Sequence, residues 1–585
     1  MAKNDVTDTP QTDPQILWRC FQYLKPYAGM VAGIYITMLL INISSAIVPQ
    51  LIRWGIDEGI YGGDLDLLGQ ATLILLGLTL AKGVLTFYQG KWSEIVSQNA
   101  AYDVRNELLQ KLTTLSFSFH DRTEAGQILT RAMQDVERIR FLTGRAVLRI
   151  VEGVVLILLT AVILLWMNWR LALLILLILP PLVNRAIRYG RLFRPLSFKI
   201  QDQLGQLTTQ LEQNLRGARI VKAFAQEEAE IGRFEAENRQ WFDLSHEAVR
   251  VQAVNAPLLD LIANLGTVAI LWYGGWLVID GGLTLGELVA FMTYLAMLVR
   301  PIRNIGRIIP ILAIAASAGE RVFAILDTPE EVADAPGATP LPRLNGRIEF
   351  DHVSFGYRAD HPILRDISFT AEPGQIVAIM GATGAGKSTL INLIARFYEP
   401  TNGRICLDDR DSRTTTIRSL RQQIGFVMQD TLLFAASVRE NIAFGNPQAS
   451  AADIIQAAKD AQAHDFIMAM PDGYDSRVGE RGVTLSGGQK QRLSIARALL
   501  TDPRILILDD ATASVDSQTE MLIQQALNRL MAGRTTFIIA HRLSTVQRAD
   551  LILLLENGRL TAQGHHEQLL NHSSLYRQIY ELQNN

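Results

Sequence analysis

Two hydrophobic patterns divide the chain. Up to about residue 325 the apolar positions fall in long, nearly uninterrupted runs. After residue 346 they fall in short β-rich runs that alternate with helical stretches. Pro26 to Ile52 carries no charge and is long enough for a helix that crosses a bilayer. Leu67 to Tyr88 makes a second span, interrupted only by Lys82, and Gly153 to Trp169 a third. Leu171 to Asn184 is a short fourth, tied to the third by a tight turn at Asn168–Arg170. Leu261 to Ile279 is the fifth. Leu288 to Val299 begins a sixth, which continues past Pro301 towards Ala324. The fourth and sixth are short by themselves, but the topology requires them. Arg105, Arg122, Arg131, Arg140 and Arg145 lie between spans two and three. Arg185, Arg188, Arg191, Arg194 and Lys199 lie between spans four and five, and the other loops are acidic or tiny. The positive-inside rule then places both termini in the cytoplasm.

The two basic stretches, Gln89–Glu152 and Arg185–Asp260, carry helical periodicity and not loop composition. A helical arm of about thirty residues reaches roughly 45 Å beyond the bilayer. Phe117-Ser118-Phe119-His120-Asp121-Arg122 and Leu215-Arg216-Gly217-Ala218-Arg219 break the periodicity and read as tips where helices reverse. Residues 1–13 read as a disordered tail. They are polar, with Asp5, Asp8 and Asp13, and show no cleavable signal peptide. Pro14 to Tyr27 mixes Trp18, Phe21 and Tyr23 with Arg19 and Lys25, the pattern of a helix lying on the membrane surface.

These patterns give a fold expectation: an all-α six-helix transmembrane domain with long cytoplasmic extensions, followed by an α/β domain. The expected boundaries are a tail and interfacial helix over 1–27 and a membrane domain over 28–325, with tips near 117–126 and 211–222. A linker over 326–346 and an α/β domain over 347–585 complete the chain. The linker is read from Pro329, Pro336, Pro340 and Pro342 with Gly337.

Composition changes little in this picture. Hydrophobic residues make up 49% and charged ones 19%, in keeping with a chain partly in lipid. A net charge of −3 gives no sign of nucleic-acid binding. Cys20 and Cys406 are the two cysteines, read as unpaired thiols in a reducing compartment. Lys82, Glu152, Asp260, Arg300, Arg303 and Arg307 fall within or beside the spans. Intramembrane charge often marks a pathway. The three arginines share a helical face near the inner surface, where snorkelling accounts for them, whereas Asp260 and Lys82 are candidates for a polar cavity lining.

The sharpest chemistry is Gly381-Ala382-Thr383-Gly384-Ala385-Gly386-Lys387-Ser388, a G-x-x-x-x-G-K-S phosphate-binding loop. An apolar run, Ile376–Met380, precedes it and a helical run from Thr389 follows, the context this motif needs. Its glycines let backbone N–H groups turn inward round a phosphate, and the helix start adds its positive dipole end. Lys387 can reach the outer phosphates of ATP, and the Ser388 hydroxyl can ligate Mg²⁺. Ile505-Leu506-Ile507-Leu508-Asp509 is a buried strand ending in a carboxylate, a Walker B element whose Asp509 holds Mg²⁺ through water. Phe537–His541 is another buried strand, ending in a histidine. Tyr357 can stack on an adenine or serve as a core tyrosine.

With these residues in place the chain resembles the ABC exporters that carry six spans per subunit. In the first half the matching residues are Phe119-His120-Asp121-Arg122 with Gly126 and Leu129-Thr130-Arg131, and Arg219-Ile220-Val221-Lys222-Ala223-Phe224. In that family the two tips are coupling helices seated on the ATPase domains. In the second half Leu485-Ser486-Gly487-Gly488-Gln489 matches the family signature intact, and Gly479-Glu480-Arg481-Gly482 resembles a segment that exporters use near the coupling helices. The resemblance implies that Ser486, Gly487, Gly488 and Gln489 close over ATP held by a second chain. It further implies that Tyr357 stacks on adenine and that Gln429 ligates Mg²⁺ and senses the γ-phosphate. His541 contacts that phosphate, and Thr389 and Asp516 complete the nucleotide-binding set. Lys387, Gln429, Asp510 and His541 make up the implied catalytic group.

The chain departs from the family after Asp509, where a glutamate is usual and Asp510 stands. Its carboxylate stops about 1.5 Å short. Misplacement of about 1 Å can cost about a hundredfold in rate, or about 2.7 kcal/mol of barrier. Ala511-Thr512-Ala513-Ser514-Val515-Asp516 also differs from the usual A-T-S-A-L-D. With an intact signature, this resembles the subunit of a heterodimeric exporter that gives the weakened ATP site. The expected activity is ATP-driven export of amphipathic drugs or lipids from the inner membrane, with membrane lipid and a different homologous chain as partners. A catalytically poor regulatory subunit and a homodimeric lipid flippase are competing readings. A soluble ATPase of the DNA-repair type fits the ATP motifs but not the six spans.

Overall fold

The computed structural model describes residues 14–358, 360–428, 431–479, 482, 485–509, 517–540 and 546–584. The expected disordered tail over 1–13 therefore lies outside the described residues. By internal contacts the chain forms two units. One comprises residues 1–113 with 125–328, the other residues 114–124 with 329–585.

The first unit is helical. A short α1 (Pro14–Gln22) and a 3-10 turn at Lys25–Tyr27 lead into α2 (Ala28–Trp54). α2 does not end in a polar loop at Ile52, as its composition suggests. Its helical path continues as a π turn over Gly55–Ile60. Asp57 is held there: its carboxylate accepts from Thr284 Oγ1 at 2.6 Å and from the Gly286 N–H at 2.8 Å. α3 (Leu65–Thr114) runs for 50 residues, about 75 Å at 1.5 Å per residue, so span and arm are one helix. The next arm is the chain of α5 (Ala125–Thr130), α6 (Val136–Phe141) and α7 (Val147–Met167), joined by π turns. α8 (Trp169–Arg216), α9 (Ala218–Ala223), α10 (Glu227–Ile279) and α11 (Leu285–Leu326) complete the unit.

Local chemistry explains several boundaries. Asn168 caps α8, its Oδ1 accepting from the N–H groups of Arg170 and Leu171 at 3.1 and 3.2 Å. A capping box between Thr284 and Glu287 starts α11. Among the described residues, five helices are long and apolar enough to cross a membrane, and Leu285–Val299 is a shorter apolar stretch within α11. Leu171, Ile175, Ile270, Phe291 and Tyr294 sit in one buried cluster, while Leu73, Leu80, Val162 and Trp272 point outwards. Such outward apolar side chains suit a lipid surround.

α1 is clamped to the end of α11. The Arg19 guanidinium meets Asp327 through two bonds of 2.5 and 2.6 Å and lies 4.3 Å over the Phe323 ring. Trp18, on the same helix, is 66% exposed, in keeping with an interfacial helix. Deeper in the arms, Asp135 is 1% exposed and receives Arg321 at 2.7 and 2.8 Å with Arg138 at 3.0 Å, so this buried carboxylate is fully paired.

The second unit is α/β. A six-stranded sheet runs β10-β9-β3-β8-β7-β6, and a four-stranded sheet runs β2-β1-β4-β5. The strands are β1 (Ile348–Phe355), β2 (Leu364–Ala371), β3 (Ile376–Gly381), β4 (Asn402–Leu407), β5 (Arg410–Asp411), β6 (Ile424–Val427), β7 (Ile505–Asp509), β8 (Thr535–Ile539), β9 (Leu551–Glu556) and β10 (Arg559–Gly564). β6, β7, β8, β3 and β9 pair in parallel. Every residue of β8 is buried, as expected for a parallel strand covered on both faces. α12 (Lys387–Ile394), α13 (Ile417–Arg421), α14 (Val438–Ala443), α15 (Ala451–Asp460), α16 (His464–Met468), α17 (Gly487–Leu500) and α18 (Ser517–Met531) surround the sheets. Two short helices, His566–His572 and Ser574–Asn584, end the chain.

Two segments differ from the expected boundaries. Pro329–Gly346, read from its prolines as a linker, is bonded along the α/β unit. Asp334 Oδ1 accepts from the Ile417 N–H at 2.7 Å, the Leu341 N–H donates to Ser419 Oγ at 2.8 Å, and the Leu344 N–H donates to Gln423 Oε1 at 2.7 Å. Arg396, 2% exposed, donates to Ala333 O at 3.0 Å. The unit boundary therefore falls at Thr328–Pro329. The prolines restrict the strap to an extended path, and their missing N–H groups leave no orphan donors along it. The other segment is the first tip, α4 (Phe117–Arg122), which belongs by contact with the α/β unit. Phe117 stacks on Phe397 at 4.2 Å, Thr114 Oγ1 donates to Glu330 at 2.8 Å, and Ser118 Oγ donates to Glu331.

Candidate functional site

β3 delivers the phosphate loop and β7 delivers Asp509 to the same edge of the sheet. β8 lies between them, with Ile539 paired to Ile379 on one side and to Asp509 on the other. The carboxyl edge of a parallel sheet is where such folds place ligands. Gly381, Gly384 and Gly386 have φ of 152°, 83° and 103°, the region only glycine enters freely. A Cβ on Gly381 would lie 2.3 Å from the Leu555 carbonyl oxygen, and one on Gly386 2.6 Å from Leu364. Both positions therefore require glycine on space as well as conformation.

Ala382, Thr383, Gly384 and Ser388 are exposed along the loop, while Ala385, Gly386, Lys387 and Thr389 are buried. Lys387 Nζ donates to the Gly381 and Ala382 carbonyls at 2.8 and 3.0 Å, folding the ammonium into the mouth of the loop. Burial lowers its pKa from the ordinary lysine value, and the Asp509 charge opposes this. α12 starts on Gly386 with no side-chain cap. Its first N–H groups, the positive dipole end, the ammonium and the hard oxygens of Ser388 and Asp509 form a donor set suited to a polyphosphate with a divalent cation.

Tyr357 lies beside this loop. Its hydroxyl meets Thr389 Oγ1 at 3.2 Å, and Phe355 and Tyr398 approach its half-buried ring edge-on, each at 5.0 Å. Tyr357 thus packs against the core and also borders the phosphate loop.

The signature segment stands elsewhere in the unit. Ser486 caps α17, its Oγ accepting from the Gln489 N–H at 3.3 Å, and Gln489 Oε1 accepts from the Ser486 N–H at 2.9 Å. Ser486 and Gly487 are exposed, and Gly488 and Gln489 turn inward to different degrees. Leu485 and Leu493 of this region belong to one buried cluster, whereas Leu390 and Ile391 of α12 belong to another. Gln429, Asp510, Asp516 and His541 lie outside the described residues, as do Glu480 and Arg481. The side chains of Arg300, Arg303 and Arg307 lie outside them too. Lys82 and Asp260 are half-buried. Neither lines the polar cleft of about 760 Å³ between α8 and α10, which is bounded by Asp202, Glu230, Arg233 and Glu237.

The sequence reading missed Arg396, Phe397 and Tyr398. They follow α12 directly. Arg396 takes φ of 49°, so the three side chains fan out in different directions and leave no periodic signal. Their order after a phosphate helix was the one available cue.

Comparison with known proteins accords with this geometry. Residues 31–302 match the ABC transporter transmembrane region, and residues 364–513 match the ABC transporter family. An ATP-dependent lipid A-core flippase of Syntrophus aciditrophicus (strain SB) is 36% identical over 568 residues, covering 97% of this chain and 94% of that protein. YgaD of Bacillus subtilis (strain 168), a proposed multidrug export ATP-binding/permease protein, is 36% identical over 581 residues, covering 97% and 99%. The solved structure of a bacterial Atm1-family ABC exporter with ATP bound superposes with a TM-score of 0.80 at 32% identity, covering 98% of this chain and 99% of that one. The chain therefore belongs to the ABC exporters, membrane proteins in which a helical transmembrane region and an ABC ATPase on one polypeptide couple ATP hydrolysis to export.

Proposed function

We propose that this chain is one half of a two-chain exporter that moves amphipathic drugs or lipids out of a bacterial cytoplasm across the inner membrane. Its ATPase unit and both termini lie on the cytoplasmic side. The observation that carries the two-chain reading is the separation of the phosphate loop from the signature. The uncapped start of α12 and the exposed start of α17 rest on different buried clusters. One chain then offers two half-sites, and a second chain completes each.

In this reading Tyr357 stacks on adenine, and the loop from Gly381 to Thr389, with Lys387, grips the phosphates. Ser388, Asp509 and Gln429 would hold Mg²⁺, which would supply neutralisation of the phosphate charge when bound. Asp510 orients the attacking water, His541 meets the γ-phosphate, and Asp516 completes the nucleotide-binding set. Ser486, Gly487, Gly488 and Gln489 of this chain cover the nucleotide of its partner. The relatives support a lipid or drug substrate, since one is described as a lipid A-core flippase and one as a proposed multidrug exporter.

Asp510 favours a different homologous chain as the second half, because a shortened carboxylate weakens this chain's own site while its intact signature serves a better one. The test is Asp510→Glu in the purified full chain. A weakened site gains up to about a hundredfold in ATP turnover on restoring the reach. Efficient hydrolysis by the unmodified chain, with no gain from the longer side chain, removes the weakened-site reading.

A further inference from the structure

The phosphate end of an ATP site is the usual place to look for a link to moving parts. Here the described contacts concentrate at the other end. Tyr357, the residue read above as the adenine platform, meets Thr389 Oγ1 through its hydroxyl, and two further contacts lead from it to adjacent residues of α4. Its backbone carbonyl accepts from Arg122 Nη2 at 3.1 Å. Its ring is met edge-on by Tyr398, with centroids 5.0 Å apart and planes at 83°, and Tyr398 Oη donates to Asp121 Oδ2. Phe355 closes the cluster, 5.0 Å from Tyr357 and 5.5 Å from Tyr398. Tyr398 is 6% exposed. Its ring therefore has little room to adjust, and its hydroxyl looks to an otherwise exposed carboxylate for a partner. Burial and the Asp121 contact both push the phenol pKa upward, which keeps it a donor throughout the physiological range.

The geometry points to Tyr398 as a positioning residue that links the adenine platform to α4, so that occupancy of the base end, and not of the phosphate loop alone, sets the order of α4. This rests on the reading of Tyr357 as the adenine platform. The platform is braced through its ring by Tyr398 and through its backbone by Arg122. A base stacked on Tyr357 that immobilises it immobilises Asp121 and Arg122 with it. Coupling of this kind is reciprocal, so α4 must in turn influence nucleotide affinity.

The test is amide exchange of residues 114–124 in the full-length protein in lipid nanodiscs. The ligands are a non-hydrolysable ATP analogue with Mg²⁺ and, separately, inorganic tripolyphosphate with Mg²⁺, which fills the phosphate loop without a base. The analogue is expected to slow exchange in α4 by about tenfold, within the usual range of site-to-site coupling, and tripolyphosphate is expected to leave it nearly unchanged. In Tyr398→Phe the packing stays and the hydroxyl goes. The analogue should still bind, with α4 protection falling to the tripolyphosphate level. Asp121→Asn, which keeps an acceptor oxygen, should retain the protection, and Asp121→Ala should lose it. Should Tyr398→Phe fold poorly, the Asp121 pair decides alone. Wild-type protection in both Tyr398→Phe and Asp121→Ala, or equal protection by tripolyphosphate, overturns the inference. Tyr357→Ala separates the two levels. It should weaken the analogue and spare tripolyphosphate, and unchanged analogue affinity overturns the platform reading itself.

Discussion

α4 and α9 are tips of the same design, six residues each, set where long helices reverse, yet their surfaces are in opposite states. α4 is engaged: Phe117 on Phe397, Ser118 on Glu331, Asp121 on Tyr398 and Arg122 on Tyr357, all within one unit. α9 presents Ile220 at 66% and Phe224 at 73% exposure, next to Leu215 at 71%. A soluble loop rarely keeps three large apolar side chains at one tip without a use for them. On the proposed two-chain reading, one chain satisfies one tip and leaves the other for a second chain, in step with the phosphate loop and signature, each of which is half a site in that proposal.

The strongest way to break the comparison is to charge the free tip. Ile220→Asp with Phe224→Asp should leave the melting temperature of the single chain unchanged, because neither side chain is buried in it. Steady-state ATPase in proteoliposomes should fall by at least about a hundredfold, equivalent to about 2.7 kcal/mol and within what burying two such side chains supplies. Full activity in that variant would mean that α9 docks on nothing.

Next in size is Ser486→Ala. Loss of the N-cap costs about 1 kcal/mol of stability, visible in thermal unfolding. In the assembled complex this change should depress ATPase more than Asp510→Asn does. The reverse ranking defeats the proposal that this chain's signature serves the better site. The smallest expected effect is Phe117→Ala. A stacked aromatic pair adds about 0.5–1.5 kcal/mol beyond its area, and Phe117 is 43% exposed, so the lower end applies. Limited proteolysis within 114–124 should quicken a few-fold, and an unaltered cleavage rate would show that Phe397 does not anchor α4.

The parts of this fold that were legible in the sequence are those written in composition and period. The uncharged run from Pro26, the helical arms and the reversals near Gly217 appear at or near the expected residues. The phosphate loop was legible because glycine is demanded at Gly381 and Gly386 by space as well as φ. The strap over Pro329–Gly346 was not, because prolines read alike whether a segment is free or sewn down. Its bonding partners, Arg396, Ser419 and Gln423, are distant in sequence. The hub at Arg396–Tyr398 was hidden for the same reason: its contacts reach to Ala333, Phe117 and Asp121, and no local pattern announces them.

The central claim, that ATP is enclosed by two chains, is tested most directly at Gly487, where a new Cβ meets no atom within 4 Å. A small diazirine amino acid placed there in the full-length protein, in its native membrane, is photolysed with and without ATP, and the adduct is mapped by mass spectrometry. The account predicts an ATP-dependent adduct of about two chain masses whose second peptide is a phosphate loop, and the sequence of that peptide tells whether the partner is this chain or a homologue. An adduct within one chain, joining position 487 to residues 381–388, would contradict it.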